Sequence, residues 1–94
     1  MNRFATQIQE ETLLLEEELQ NEQFELVVYN DDVNTFDHVI DCLIKICKHT
    51  KEQAEQCTLI IHYKGKCSVK LGTYEKLLPM RQAICDRGIS AEIL

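Results

Sequence analysis

The spacing of apolar residues changes several times along this chain, and each change marks an element. Phe24, Leu26 and Val28 alternate with Glu25, Val27 and Tyr29, the two-residue period of a strand. From Phe36 the period lengthens. Phe36, Val39, Ile40, Leu43, Ile44 and Cys47 recur at i, i+3, i+4 and i+7, which predicts an amphipathic helix with Asn34 or Thr35 as its N-cap. Thr50-Lys51-Glu52-Gln53 reads as a capping box, so a second helix starts there. Its end is open, because Thr58-Leu59-Ile60-Ile61-His62-Tyr63 is β-prone and local pattern alone allows a strand. Gly65 closes the segment in either case. Cys67, Val69 and Leu71 then alternate with Lys66, Ser68 and Lys70 as a half-buried strand. Thr73 caps a third helix containing Leu77, Leu78, Ala83 and Ile84. Pro79 inside it either removes one early hydrogen bond or marks the first turn of a shorter helix. Asp86-Arg87-Gly88 ends that helix, and Ile89, Ala91 and Ile93 alternate as a last short strand.

The order β-α-α-β-α-β predicts an α+β fold, a two-layer sandwich of three antiparallel strands covered by three helices. At 94 residues the chain makes one domain with one modest core. The expected division is a mobile acidic extension over residues 1–23 and a core domain over 24–94. Net charge is −6, and residues 1–23, with one Arg and six Glu, carry most of it. That distribution gives no support to nucleic-acid binding. No apolar run approaches the ~18 residues of a membrane span, and no signal peptide is apparent. Five cysteines, an odd count without a repeating spacing, point to core thiols in a reducing, cytoplasmic setting.

Candidate chemistry lies between the first strand and first helix. Asn30-Asp31-Asp32-Val33-Asn34-Thr35 joins two carboxylates to two amides, residue types that end strands and cap helices. The pattern fits an ordinary turn, or a polar acidic notch beside an apolar pocket, suited to one cationic group. His62 is the histidine to follow: on a helix it shares a face with Thr58 and Ile61. The alternative is a half-buried histidine bonded to backbone. No metal is expected, since the cysteines lack ligand spacing. Cys57 and His62 point in different directions around a helix, which disfavours nucleophilic catalysis. Asp31 and Asp32 have no oxyanion hole or phosphate cradle beside them. The chain reads as a non-enzyme without a cofactor.

Taken together, the Asn30-Asp31-Asp32 turn, the amphipathic helix from Phe36, His62-Tyr63-Lys64-Gly65-Lys66 and Thr73-Tyr74-Glu75 resemble the ClpS family. These proteins are adaptors of the ATP-dependent Clp protease that select substrates by their N-terminal residue. The resemblance runs from about Leu26 to Ile93. It implies the α/β sandwich of the ribosomal stalk protein's C-terminal domain, and therefore a helix over 51–63 despite Ile60-Ile61. It also implies roles. Asn30, Asp31 and His62 would hold a substrate's free α-amino group, with Asp32 adding negative potential. Asn34, Thr35, Phe36, Val39, Thr58 and Ile61 would line a pocket for a first side chain such as Leu, Phe, Tyr or Trp. Glu75 would contact the AAA+ Clp unfoldase through its N-terminal domain, and residues 1–23 would serve in substrate hand-over. The expected form is a monomer.

Several positions depart from the family's pattern. Family members commonly have an aromatic residue at Val33, and Thr-Pro-Met where this chain has Asn34-Thr35-Phe36. The Met acts there as a gate against β-branched residues, so a bulkier, stiffer Phe36 changes the shape of the pocket. Thr58 replaces what is often Met and returns volume. A further pocket residue near the last strand falls to Ser90 or Ala91.

Overall fold

The computed structural model describes residues 22–94. The expectation for residues 1–23 therefore lies outside the described residues, except for Glu22 and Gln23. The elements are β1 (Phe24–Tyr29), α1 (Phe36–Cys47), α2 (Lys51–Lys64), β2 (Lys66–Gly72), α3 (Tyr74–Asp86) and β3 (Ala91–Ile93). The three strands form one antiparallel sheet in the order β2-β1-β3. One layer is this sheet, the other the helices.

Each helix begins where a threonine side chain takes up an orphan backbone N–H. Thr35 accepts from His38, Thr50 from Gln53 and Thr73 from Lys76. At Thr50 the box is reciprocal, because Gln53 Oε1 also accepts from the Thr50 N–H at 3.0 Å. That start commits 51–64 to helix, and Ala54, Thr58 and Ile61 form its buried face. Helical spacing brings these three inward together, which overrides the β propensity of Ile60-Ile61. Gly65 then stops the helix at φ 89°, a backbone state that glycine adopts without a Cβ penalty.

The core lies between the layers. Leu26 and Val28 from β1 meet Val39, Cys42, Leu43 and Cys47 from α1, Ala54 and Ile61 from α2, and Leu77 and Ile84 from α3. Burying a side chain the size of Leu26 or Leu43 is worth about 1.5–3 kcal/mol.

Strand β2 departs from its expected alternation. Pairing runs Val28↔Cys67 and Val27↔Ser68, then jumps to Leu26↔Lys70 and Glu25↔Leu71, so Val69 is a bulged extra residue. The bulge moves Leu71 onto the outer face, where it is 56% exposed. It also frees the Val69 carbonyl, which accepts from His49 Nε2 at 2.6 Å. Lys70 turns inward and donates to the Cys47 carbonyl at 3.1 Å, capping α1. Helix α3 runs through Pro79 unbroken. Of the two readings, the lost hydrogen bond is the observed one: Pro79 has no N–H for the Glu75 carbonyl. Among the described residues no helix is long and apolar enough to cross a membrane.

Candidate functional site

The site is built where β1 hands over to α1. The Asn30 N–H donates to the Gly65 carbonyl at 2.8 Å, which sets the start of the notch against the end of α2. Asp31 then folds the turn with its own side chain. Its Oδ1 accepts from the backbone N–H of Val33 at 2.9 Å and of Asn34 at 2.7 Å, while Oδ2 accepts from Asn34 Nδ2 at 2.6 Å. These donors, the Asn34 backbone N–H first, hold the Asp31 carboxyl below its ordinary range. The group stays anionic, and a carboxylate has about four lone-pair sites, so capacity for one more donor remains.

Asn34 and His38 tie the notch to the turn between α3 and β3. Asn34 Nδ2 also donates to the Gly88 carbonyl at 2.9 Å, and His38 Nε2 bonds the Arg87 carbonyl at 2.9 Å. Arg87 in turn reaches Asp41 Oδ2 at 3.4 Å, and Lys45 reaches the same oxygen at 3.1 Å. Neither His38, Arg87 nor Gly88 is legible as part of the site from the sequence, because their roles arise between elements about 50 residues apart. Asp41 is only partly exposed and doubly paired.

Behind the notch lies a cavity of about 300 Å³. Asn30, Asp31, Asp32, Asn34, Thr35 and His62 form its polar side, and Phe36, Val39, Thr58 and Ile61 the rest of its lining. The structure thus brings the turn residues and the α2 face named from the sequence to one place. That volume is at the small end for a ligand pocket and suits one side chain. Thr58 is buried, and its hydroxyl donates to the Ala54 carbonyl at 2.7 Å, so it adds no unsatisfied polar group to the wall. Phe36 is 42% exposed, and its ring meets that of His62 edge-on at 5.0 Å between centroids.

His62 is exposed and has no hydrogen bond to the described residues, which leaves its ring nitrogens available to a ligand. The backbone-bonded histidines are His38 and His49 instead. Neither Ser90 nor Ala91 lines the cavity. Ala91 belongs to the core, and Ser90 spends its carbonyl on the Tyr29 N–H at 3.0 Å. Glu75 lies exposed in the first turn of α3, away from the cavity lining. Among the described residues no group of three or more His, Cys, Asp or Glu is placed to hold a metal ion.

A small two-layer domain with an anionic notch over a side-chain-sized pocket has the build of a binding module. Comparison with known proteins agrees. Residues 19–91 match the family model described as ATP-dependent Clp protease adaptor protein ClpS. ClpS adapter proteins of Thermosynechococcus vestitus and Nostoc sp. are 41% and 42% identical over 68 residues, spanning 71% of this chain and 72% and 70% of theirs. The Campylobacter jejuni ClpS adapter is 33% identical over 81 residues, 86% of this chain and 80% of its own. Among solved structures, Agrobacterium tumefaciens ClpS2 bound to L-phenylalaninamide superposes with a TM-score of 0.75. It covers 79% of this chain and 96% of its own at 12% identity, a likeness of fold. The chain belongs to the ClpS family of Clp protease adaptors.

Proposed function

We propose that this adaptor binds the free α-amino group and the bulky apolar first side chain of substrate proteins, Leu, Phe, Tyr or Trp, and delivers them to a AAA+ Clp unfoldase. The observation that carries the reading is the shared cavity: the Asp31 carboxylate and the His62 ring line it together with Phe36, Val39 and Ile61. The ligand held by the A. tumefaciens relative, an amino-acid amide with a free α-amine and a phenyl side chain, has the same two features.

An α-ammonium is a compact cation with three donors, so it suits a carboxylate, the Asn30 amide oxygen and a neutral imidazole nitrogen. Each charge-assisted hydrogen bond contributes about 1.5–3 kcal/mol. Burial of Leu or Phe adds about 1.5–3 kcal/mol. Lost motion offsets part of this, leaving roughly micromolar affinity. Selection for the terminus follows, because an internal peptide N–H has no charge for Asp31 to meet.

Glu75, exposed at the start of α3, is the proposed contact for the unfoldase's N-terminal domain, and the adaptor acts as a monomer in the cytoplasm. A peptide beginning with Leu or Phe should bind while its N-acetylated copy does not. Equal binding of both removes the amine from the recognition. Binding of neither leaves the other reading, a modulator that docks on the unfoldase with its pocket closed by Phe36.

A further inference from the structure

A second cavity, of about 270 Å³, opens between α3 and β3 and shares no lining residue with the first. Tyr74, Leu78 and Arg81 line it from one stripe of α3, at i, i+4 and i+7, and Glu92 and Ile93 line it from β3. Tyr74 is 49% exposed and Leu78 43%. Arg81 is half-buried, and its Nε donates to the Ala91 carbonyl at 3.1 Å, which fixes the side chain in the wall. Yet Arg81 is in none of the ion pairs formed among the described residues. Glu92, the acidic residue of the same lining, accepts from the Tyr29 hydroxyl at 3.1 Å instead. A half-buried guanidinium keeps donors for a carboxylate, and the apolar wall beside it suits a branched side chain. Strand β3 is also an edge of the sheet, and folded proteins commonly cover such edges with another segment.

The connectivity of the chain supplies an occupant with both features. Residues 1–21 lie outside the described residues and lead through Glu22 and Gln23 into β1 at Phe24. The Phe24 ring meets Tyr74 edge-on at 5.6 Å between centroids, so the extension joins the domain at the rim of this cavity. Its sequence includes Leu13-Leu14-Leu15-Glu16-Glu17-Glu18-Leu19. Leu19 is five residues before Phe24, a reach of up to about 18 Å. Three carboxylates directly before a leucine match a lone cation set beside Leu78 and Ile93.

We propose that residues 13–19 of the extension dock in the second cavity, with Leu19 against Leu78 and Ile93 and the run from Glu16 to Glu18 facing Arg81. The seat is independent of whether the first cavity holds an α-amine. It covers the exposed surface of Tyr74 and Leu78, next to Glu75. One leucine and a partly screened ion pair make a contact that opens readily, which is compatible with an extension that also serves in hand-over.

The test uses the full chain with carbon-13-labelled leucine and isoleucine methyl groups. Nuclear Overhauser cross-peaks are expected from the Leu19 methyls to those of Leu78 and Ile93. Leu19→Ser, a change ahead of β1, should abolish them and shift the Leu78 and Ile93 resonances. Glu16→Gln, Glu17→Gln and Glu18→Gln combined should weaken them, as should salt raised to about 1 M, where screening acts over only a few ångströms. Absence of the cross-peaks, cross-peaks to Ile93 undiminished by Leu78→Ser, or cross-peaks indifferent to the three glutamines would each overturn the docking. So would cross-peaks between labelled and unlabelled copies mixed in equal amounts, which would make a second chain the occupant.

Discussion

The carboxylate of Asp31 has two tasks that pull on the same atoms. Three donors from Val33 and Asn34 fold the turn around it, and its remaining charge faces the cavity. Asp31→Asn keeps an acceptor for the turn but removes the charge. It should weaken binding of a Leu-initiated peptide about 10- to 150-fold, the loss of about 1.5–3 kcal/mol, measured by calorimetry. The sign of the pH effect follows from the donors. They favour the ionised form, so the folded-state value lies below the ordinary 3.8. Stability from this group is present above the ordinary value and is lost as pH falls through the lower folded one. Carbon-detected NMR titration should place the Asp31 midpoint below 3.8, and Asn34→Ala should move it upward by removing the side-chain donor while the backbone donors remain. An unchanged midpoint in that variant would separate Asn34 from the electrostatics of the notch.

At the scale of elements, the caps were legible and the bulge was not. Thr35, Thr50 and Thr73 announce helices because capping is a contact between residues three apart, visible in any window of sequence. The bulge at Val69 depends on how β2 registers against β1, a choice made between strands. Strict alternation would send Leu71 to the core, whereas the observed register sends it outward. Leu71→Ala should therefore change stability by no more than about 0.5 kcal/mol, while Leu43→Ala, fully buried, should cost about 2–5 kcal/mol in denaturant unfolding. A large loss for Leu71→Ala would restore the alternating strand. Pro79 gives the opposite test. The helix tolerates it at the cost of one hydrogen bond, so Pro79→Ala should stabilise the domain by about 1–3 kcal/mol, read as a higher urea midpoint.

For the whole molecule, the deciding geometry is the approach of the β1–α1 turn to the end of α2. The Asn30–Gly65 hydrogen bond fixes that approach and stands Phe36 against His62. Phe36 lines the cavity and packs edge-on against His62 at its polar side. Phe36→Ala should broaden first-residue preference toward Ile and Val, with affinity for Leu peptides falling less than for Asp31→Asn, in a competition series of peptides differing only at their first residue. An unaltered preference would remove Phe36 from selection.

By itself the sequence determined the element order, the three helix starts and the residue types at the notch. Each rests on periodicity or on contacts a few residues apart. It left Thr58–Tyr63 divided between helix and strand, and only the resemblance to ClpS proteins resolved it. The tertiary structure alone decided the bulge, the exposure of Leu71, and the support of Asn34 and His38 by Gly88 and Arg87. It also excluded Ser90 and Ala91 from the cavity lining. All of these are meetings between segments distant along the chain, settled by packing two layers around one core.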